Sequence, residues 1–276
     1  MTLQIKTMSK LLAVSFIIAT KNEIFTISKQ LDYFKKIEFK NVEFIYSDGG
    51  SSDGTVETIL TASQQDSRIR LVNFGLDKGI YDAWNKALPY ANGMYISFLG
   101  TDDYPDSKFI EFVTKQIDEI SKPFLIYGNV VEISGNIKNY VNHKQIDTLN
   151  IKYLNILPFH HQGMAHNRDL FIYYNFDYNL KYAGDTEFLL RTKNYINKEG
   201  ILYYDGLQIT VGSDGISRSH KSMSVYLSEI EYINKKLKLS LKFTPYWIYI
   251  LYPLSFFPKV FNTLKFIKRT IFNNSN

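Results

Sequence analysis

Leu11–Ala19 reads LLAVSFIIA, and Val42–Gly54 reads VEFIYSDGGSSDG. The first is an unbroken apolar run rich in β-branched residues with polar residues on both sides, the pattern of a strand buried on both faces of a parallel sheet. The second is a short strand, Val42–Tyr46, running into a Gly/Ser turn. Working outward, Glu23–Lys36 has helical spacing, with Ile24, Ile27, Leu31 and Phe34 on one side. Thr55–Ser63 and Ile80–Leu88 also read as helices, Ile69–Asn73 and Met94–Leu99 as strands. Strand and helix alternate with short links, which predicts right-handed βαβ units. The expected fold class is α/β, a mostly parallel central sheet flanked by helices.

In such sheets ligands bind beyond the carboxyl ends of the strands. The polar motifs fall there: Thr20-Lys21-Asn22-Glu23 after the first strand, Asp48 after the second, and Gly100-Thr101-Asp102-Asp103 after the fourth. That coincidence predicts one site. The second half is less regular. Phe109–Ile120 reads as an amphipathic helix, Phe124–Ile133 as a strand, His160–Arg168 as a polar segment, Thr186–Ile196 as a helix and Val211–His220 as a Gly/Ser-rich loop. The expected division is a catalytic domain over 1–225, with halves at about 11–105 and 106–225, and a tail over 226–276.

The 276 residues suffice for one large domain with a packed core, at 45% hydrophobic and 21% charged. The 21 Tyr and 20 Phe suit sugar stacking or a membrane interface, and codon bias gives the same excess. Absence of cysteine excludes disulfides, thiolate zinc sites and cysteine nucleophiles. No signal peptide is expected. Eight of the 32 basic residues and none of the 27 acidic ones lie from Tyr232 onward, so residues 1–231 carry a net charge of −3. A mildly acidic body argues against nucleic acid as a partner.

Asp102-Asp103 can bind Mg²⁺ or Mn²⁺ with a diphosphate completing the shell, or can serve as a solvated turn or helix cap. Within Ser47–Thr55, Asp53 reads as a cap or turn residue and Asp48 as a ligand-binding one. Asp185 precedes a helix and reads as its N-cap, with Glu187 assisting. His160, His161 and His166 cluster in sequence without zinc-motif spacing, and pocket lining is the expectation for them.

Phe44–Thr55 (FIYSDGGSSDGT), Asp77–Ala87 (DKGIYDAWNKA), Ala91–Tyr95 (ANGMY) and Ser97–Asp103 (SFLGTDD) together resemble the nucleotide-binding half of family 2 glycosyltransferases, inverting enzymes with the A-type glycosyltransferase fold. His161–Met164 (HQGM) and Ala183–Arg191 (AGDTEFLLR) resemble the acceptor half. The resemblance covers about residues 11–220. It implies that Thr20 and Asp48 contact the donor's base, that Lys78 and Asp82 lie along ribose and diphosphate, and that Asp102 faces the donor sugar or ribose. It implies Asp103 as the main ligand of a Mn²⁺ or Mg²⁺ ion, with His220 touching phosphate or metal, and Asp185 as catalytic base. Where the family often has an acidic residue before that Asp, this chain has Gly184. The implied partners are a nucleotide-sugar, UDP-linked by preference, and a glycan or lipid-linked glycan acceptor of a bacterial surface polysaccharide such as capsule or lipopolysaccharide. The implied location is cytoplasmic, at the inner face of the membrane where the tail binds it.

The tail supports that placement. Phe243–Pro258 is uncharged and aromatic but only 16 residues long with three prolines, short of the roughly 20 residues of a spanning helix. Lys259, Lys265, Lys268 and Arg269 follow among apolar residues, the pattern of an interfacial basic helix, although packing on the body or a dimer contact would serve as well. A nucleotidyltransferase would need a Gly-rich basic loop after the first strand. A processive synthase would need Gln-x-x-Arg-Trp, and a P-loop kinase Gly-x-x-x-x-Gly-Lys-Ser/Thr. None is present. A catalytically silent nucleotide-sugar-binding or scaffold protein of the same fold remains the alternative.

Overall fold

The computed structural model describes residues 12–38, 40–117, 119, 122–150, 159–212 and 223–239. The Leu11–Ala19 run forms β1 (Val14–Thr20), whose side chains alternate between two cores. Helix α1 (Ile24–Lys36) leads to β2 (Val42–Asp48), α2 (Thr55–Gln65) to β3 (Ile69–Phe74), and α3 (Ile80–Ala87) to β4 (Tyr95–Leu99). The four strands pair in parallel in the order β3-β2-β1-β4. This is the predicted βαβ half, with boundaries within a few residues of expectation.

Beyond β4 the sheet becomes mixed. A two-residue β5 (Tyr104–Pro105) and α4 (Ser107–Gln116) precede the hairpin β6 (Leu125–Ser134) and β7 (Ile137–Val141). The polar segment at 160–168 holds a 3₁₀ turn, His161–Gly163, and β8 (Met164–Asn167), which joins β4 to β6 by antiparallel pairing on both sides. After α5 (Leu170–Tyr173) and α6 (Gly184–Glu199), β9 (Ile201–Gly212) runs parallel to β6 and pairs with β5. Helix α7 (Met223–Lys236) crosses the boundary expected at residue 225, because its Ile230 and Ile233 are buried in the core. The 226–276 tail beyond residue 239, Leu11 and the 213–222 loop with His220 lie outside the described residues.

One core lies between the sheet and α1, α2 and α4, led by Phe16, Phe34, Phe44 and Phe109. Phe34 stacks on Phe44 with centroids 3.7 Å apart. The other lies between the sheet and α3, α6 and α7. There Trp84, Phe98, Phe171, Phe176 and Phe188 contact one another in tilted, edge-on or stacked pairs. Much of the aromatic excess is therefore core, where each ring removes a large apolar area from water.

His166 sits in this second cluster, 1% exposed, with its ring against Phe98, Phe171 and Phe188. Burial, with a smaller contribution from nearby His161, pushes its pKa from 6.5 down to about 3. Between those values the unfolded chain holds a proton that the folded one does not. Stability is therefore complete above pH 6.5 and falls as pH drops toward 3, by at most about 1.4 kcal/mol per pH unit from this residue. Urea unfolding at pH 7 and pH 5 should show a smaller acid loss for His166→Leu than for wild type. Equal losses would mean that His166 is not the acid-sensitive group.

Candidate active site

The loops after β1 and β2 form one stitched platform. Thr20 and Asp48 are paired across the strands, and the Thr20 hydroxyl donates to Asp48 Oδ2 at 2.8 Å. Asp48 is fully buried. Its Oδ1 accepts the Gly50 and Ser51 amides at 2.9 and 2.7 Å, and its Oδ2 accepts the Ser51 hydroxyl at 2.6 Å. Four donors compensate the buried charge, and Gly50 bends at φ +84° to supply one of them. Asp48 thus shapes the loop with both oxygens engaged, where the sequence pointed to direct ligand contact. Asp53 does what was expected of it: Oδ1 accepts the Thr55 amide and hydroxyl, and Oδ2 accepts the Ile24 amide at the start of α1.

Helix α1 ties this platform to the acidic loop after β4. Gln30, fully buried, donates through Nε2 to the Gly100 and Asp103 carbonyls at 2.7 and 2.9 Å and accepts from the Tyr46 hydroxyl. Asp103, 2% exposed, accepts the Gly100 amide at 2.6 Å. A Cβ at Gly100 would lie 3.1 Å from Asp102 Oδ1 and 3.3 Å from Asp103 Oδ2, so both carboxylates border this glycine. Asp102 also lies against Gly212 at the end of β9, where any Cβ would collide with its carboxylate. Burial raises the Tyr104 pKa, and the charges of Asp102 and Asp103 add to the rise.

Two adjacent carboxylates with oxygen-only chemistry fit a hard divalent cation, whose remaining ligands a diphosphate and water can supply. Among the described residues no group of three or more His, Asp or Glu is placed to hold a metal by itself. The three histidines of the 160–166 segment part company, each meeting different neighbours. His160 faces Glu132 and His143, His166 is core, and His161 stacks on Trp84 with centroids 5.0 Å apart.

Lys78 and Asp82 flank the start of α3. The Lys78 amide donates to Asp82 Oδ2 at 3.0 Å, which also pairs with Lys86 at 2.9 Å. Desolvation pushes the Asp82 pKa up, but the Lys86 and Lys78 hydrogen bonds outweigh it and the net shift is downward. The Lys78 ammonium lies 4.6 Å over the Tyr178 ring. Sequence reading passed over Asp77, whose carboxylate packs on Gly49 of the platform and whose pKa desolvation raises. Only its place in the DKG string marked it.

Asp185 is the second residue of α6, not the N-cap, a position that Ala183 holds. A carboxylate in the first turn still gains from the helix dipole. Its Oδ1 accepts the Thr186 amide at 2.8 Å and the Tyr81 hydroxyl at 3.4 Å. The Tyr81 ring occupies the space over Gly184, where a Cβ would come within 2.6 Å of it. Glu187, expected to assist, is fully buried and paired with Arg191 and Lys236. Burial lowers the His161 pKa while the nearby Asp185 charge pulls it up. Trp84 Nε1 and His161 Nε2 are buried without a partner in this cluster. Phe98 of β4, next to His161 at 6.1 Å, links it to the acidic loop that starts two residues later.

The parallel α/β half carries its acidic loops at the carboxyl ends of its strands. The chain belongs to glycosyl transferase family 2, whose pattern matches residues 15–184. A PGL/p-HBAD biosynthesis glycosyltransferase of Mycobacterium bovis is 29% identical over 180 residues, covering 64% of this chain and 68% of the relative. The UDP-Glc:alpha-D-GlcNAc-diphosphoundecaprenol beta-1,3-glucosyltransferase WfgD of Escherichia coli is 35% identical over 123 residues, covering 45% of this chain and 47% of the relative. Staphylococcus aureus TarS residues 1–349, solved with UDP-GlcNAc, superposes at TM-score 0.57 and 18% identity, over 83% of this chain and 68% of that one. Glucosyl-3-phosphoglycerate synthase of Mycobacterium tuberculosis, solved with Mn²⁺ and UDP, does so at TM-score 0.54 and 13% identity, over 82% and 80%. These two structures speak to the fold. The chain spans about half the length of the E. coli relative.

Gly212→Ala should displace the Asp102 carboxylate and weaken UDP binding in the presence of Mn²⁺ at least tenfold, about 1.4 kcal/mol, measured by calorimetry. Unchanged affinity would remove Asp102 from the nucleotide site.

Proposed function

We propose that this chain transfers a sugar from a UDP-sugar to a hydroxyl of a lipid-linked glycan, with inversion and with a divalent cation, in assembly of a bacterial surface polysaccharide. The observation that carries this reading is the placement of carboxylates beyond the strand ends, Asp102 and Asp103 after β4, together with Asp185 at the start of α6, whose charge acts on His161. The donor and acceptor classes are supported by the names of the E. coli relative and the TarS complex, and the cation by the Mn²⁺ in the mycobacterial synthase.

In this reading Asp103 would be the main ligand of the cation, with His220 a further candidate and Asp102 facing the donor sugar or ribose, and the cation would supply positive charge against the departing diphosphate. The platform of Thr20 and Asp48 receives the base, and Lys78 with Asp82 lies along ribose and diphosphate. The acceptor oxygen attacks the anomeric carbon opposite the nucleotide. As the new C–O bond forms, the bond to the diphosphate oxygen breaks and its electron pair leaves with UDP. The hydroxyl proton passes to Asp185, which must stand within hydrogen-bond reach of it. One displacement inverts the anomeric centre, and no covalent enzyme intermediate forms. The catalytic unit extends through α7, and the basic aromatic tail beyond it supports contact with an anionic membrane on the cytoplasmic side.

Calorimetry of UDP, GDP and dTDP, with and without Mn²⁺, tests the donor site. UDP should bind with a Mn²⁺ dependence that Asp103→Asn removes. In transfer from UDP-glucose to a GlcNAc-diphospholipid, Asp185→Asn should lower kcat at least 100-fold, in line with the loss of a general base, while UDP affinity stays within threefold. A folded protein that binds none of the nucleotides would favour the silent scaffold.

A further inference from the structure

Helix α6 carries Asp185 but does not secure its own start. Ala183 at the N-cap has no side chain to offer, and the three residues leading into the helix are held from outside. Glu229 of α7, 7% exposed, accepts the Lys181 amide through Oε1 at 2.6 Å and the Tyr182 and Ala183 amides through Oε2 at 2.9 Å each. Hydrogen bonds to an ionised acceptor are about twice as strong as neutral ones. The last anchored residue is two positions from Asp185.

The other polar residues of that α7 face bind outside the 181–183 segment. The Tyr226 side chain is bonded to Thr186. The Tyr232 hydroxyl donates to Asp177 at 3.1 Å, and Lys236 pairs with Asp177 at 2.8 Å and Glu187 at 2.9 Å. Residues 226, 229, 232 and 236 are spaced by three, three and four, one side of a helix. Adhesion of α7 to the body is already provided by buried Ile230 and Ile233, whereas a buried carboxylate costs desolvation that an apolar residue would not. What the carboxylate adds is a fixed path for residues 181–183.

We propose that Glu229 is a positioning residue for the transfer reaction: by holding the amides of Lys181, Tyr182 and Ala183 it fixes where Asp185 meets the acceptor hydroxyl. The inference rests on Asp185 being the base. It adds Glu229, from α7, to the residues that position Asp185.

The test compares Glu229→Ala, Glu229→Gln and, as a control on the same helix, Lys236→Met in the full chain. Three readouts apply: hydrogen exchange of the 181–187 amides, UDP affinity by calorimetry, and turnover of whichever UDP-sugar the wild type consumes, followed as UDP release. Glu229→Ala should speed exchange at 181–183 at least tenfold and lower kcat at least tenfold, with UDP affinity within threefold of wild type. Glu229→Gln, which keeps one acceptor oxygen, should fall between. Lys236→Met should lower the melting temperature and leave kcat within about twofold. Unchanged exchange at 181–183, or faster exchange with wild-type kcat, overturns the proposal. So does an equal loss of kcat in Lys236→Met, which would mark general loosening. If Asp185→Asn keeps wild-type kcat, the base assignment fails instead. An inactive Asp185→Asn beside a full-rate Glu229→Ala sinks the positioning role alone.

Discussion

A carboxylate buried at the end of an interior strand is tolerated only if every lone pair facing the protein finds a donor. Asp48 meets that demand with two amides and two hydroxyls. To do so the chain after β2 must turn back at Gly50, and β1 must end with a hydroxyl directly across. The loops after β1 and β2 are then one object, joined further by bonds between Asn22 and Ser51 or Ser52, Glu23 and Thr55, and Ile24 and Asp53. The first amides of α1, which have no partners within the helix, are met by the neighbouring loop.

From there rigidity propagates along α1. Its N-terminus is fixed by Asp53 and Thr55, Thr26 reaches Thr101, and Gln30 spans to the carbonyls of Gly100 and Asp103. The acidic loop after β4 is thereby placed relative to the platform by one helix with few rotatable links. A site assembled this way is ordered before ligand arrives, so less binding energy is spent on ordering it. Removing the Gln30 amide would leave buried carbonyls without donors, at a cost well above that of a surface hydrogen bond.

The N-terminal half was largely legible because its determinants are local. Period, strand length and turn residues placed β1 to β4 and their helices, and the acidic motifs fell at the strand ends as the sheet rule requires. Strand-end position marks Asp48 as important but cannot show that both its oxygens are engaged within the loop. The C-terminal half was less legible. β9, with its repeated tyrosines and interior Gly206, has no clean alternation, and β8 hid in a polar segment because its partners lie on both sides of it. The histidines looked like a cluster in sequence, yet strand alternation and the 3₁₀ turn send His160, His161 and His166 to different neighbours.

Contacts of long sequence separation also explain why no reading of Ala183–Arg191 alone could decide what Asp185 does. Its surroundings come from α3, from the 3₁₀ turn and from α7, at separations of up to about a hundred residues. Gly184 shows the consequence. Read along the chain it is a departure from the resembling family; read in space it is the position on which the Tyr81 ring rests, and that ring brings a hydroxyl to Asp185. A side chain at 184 and Tyr81 in its present place exclude each other by volume, so the surroundings of Asp185 are set by a pair of residues that only the fold brings together.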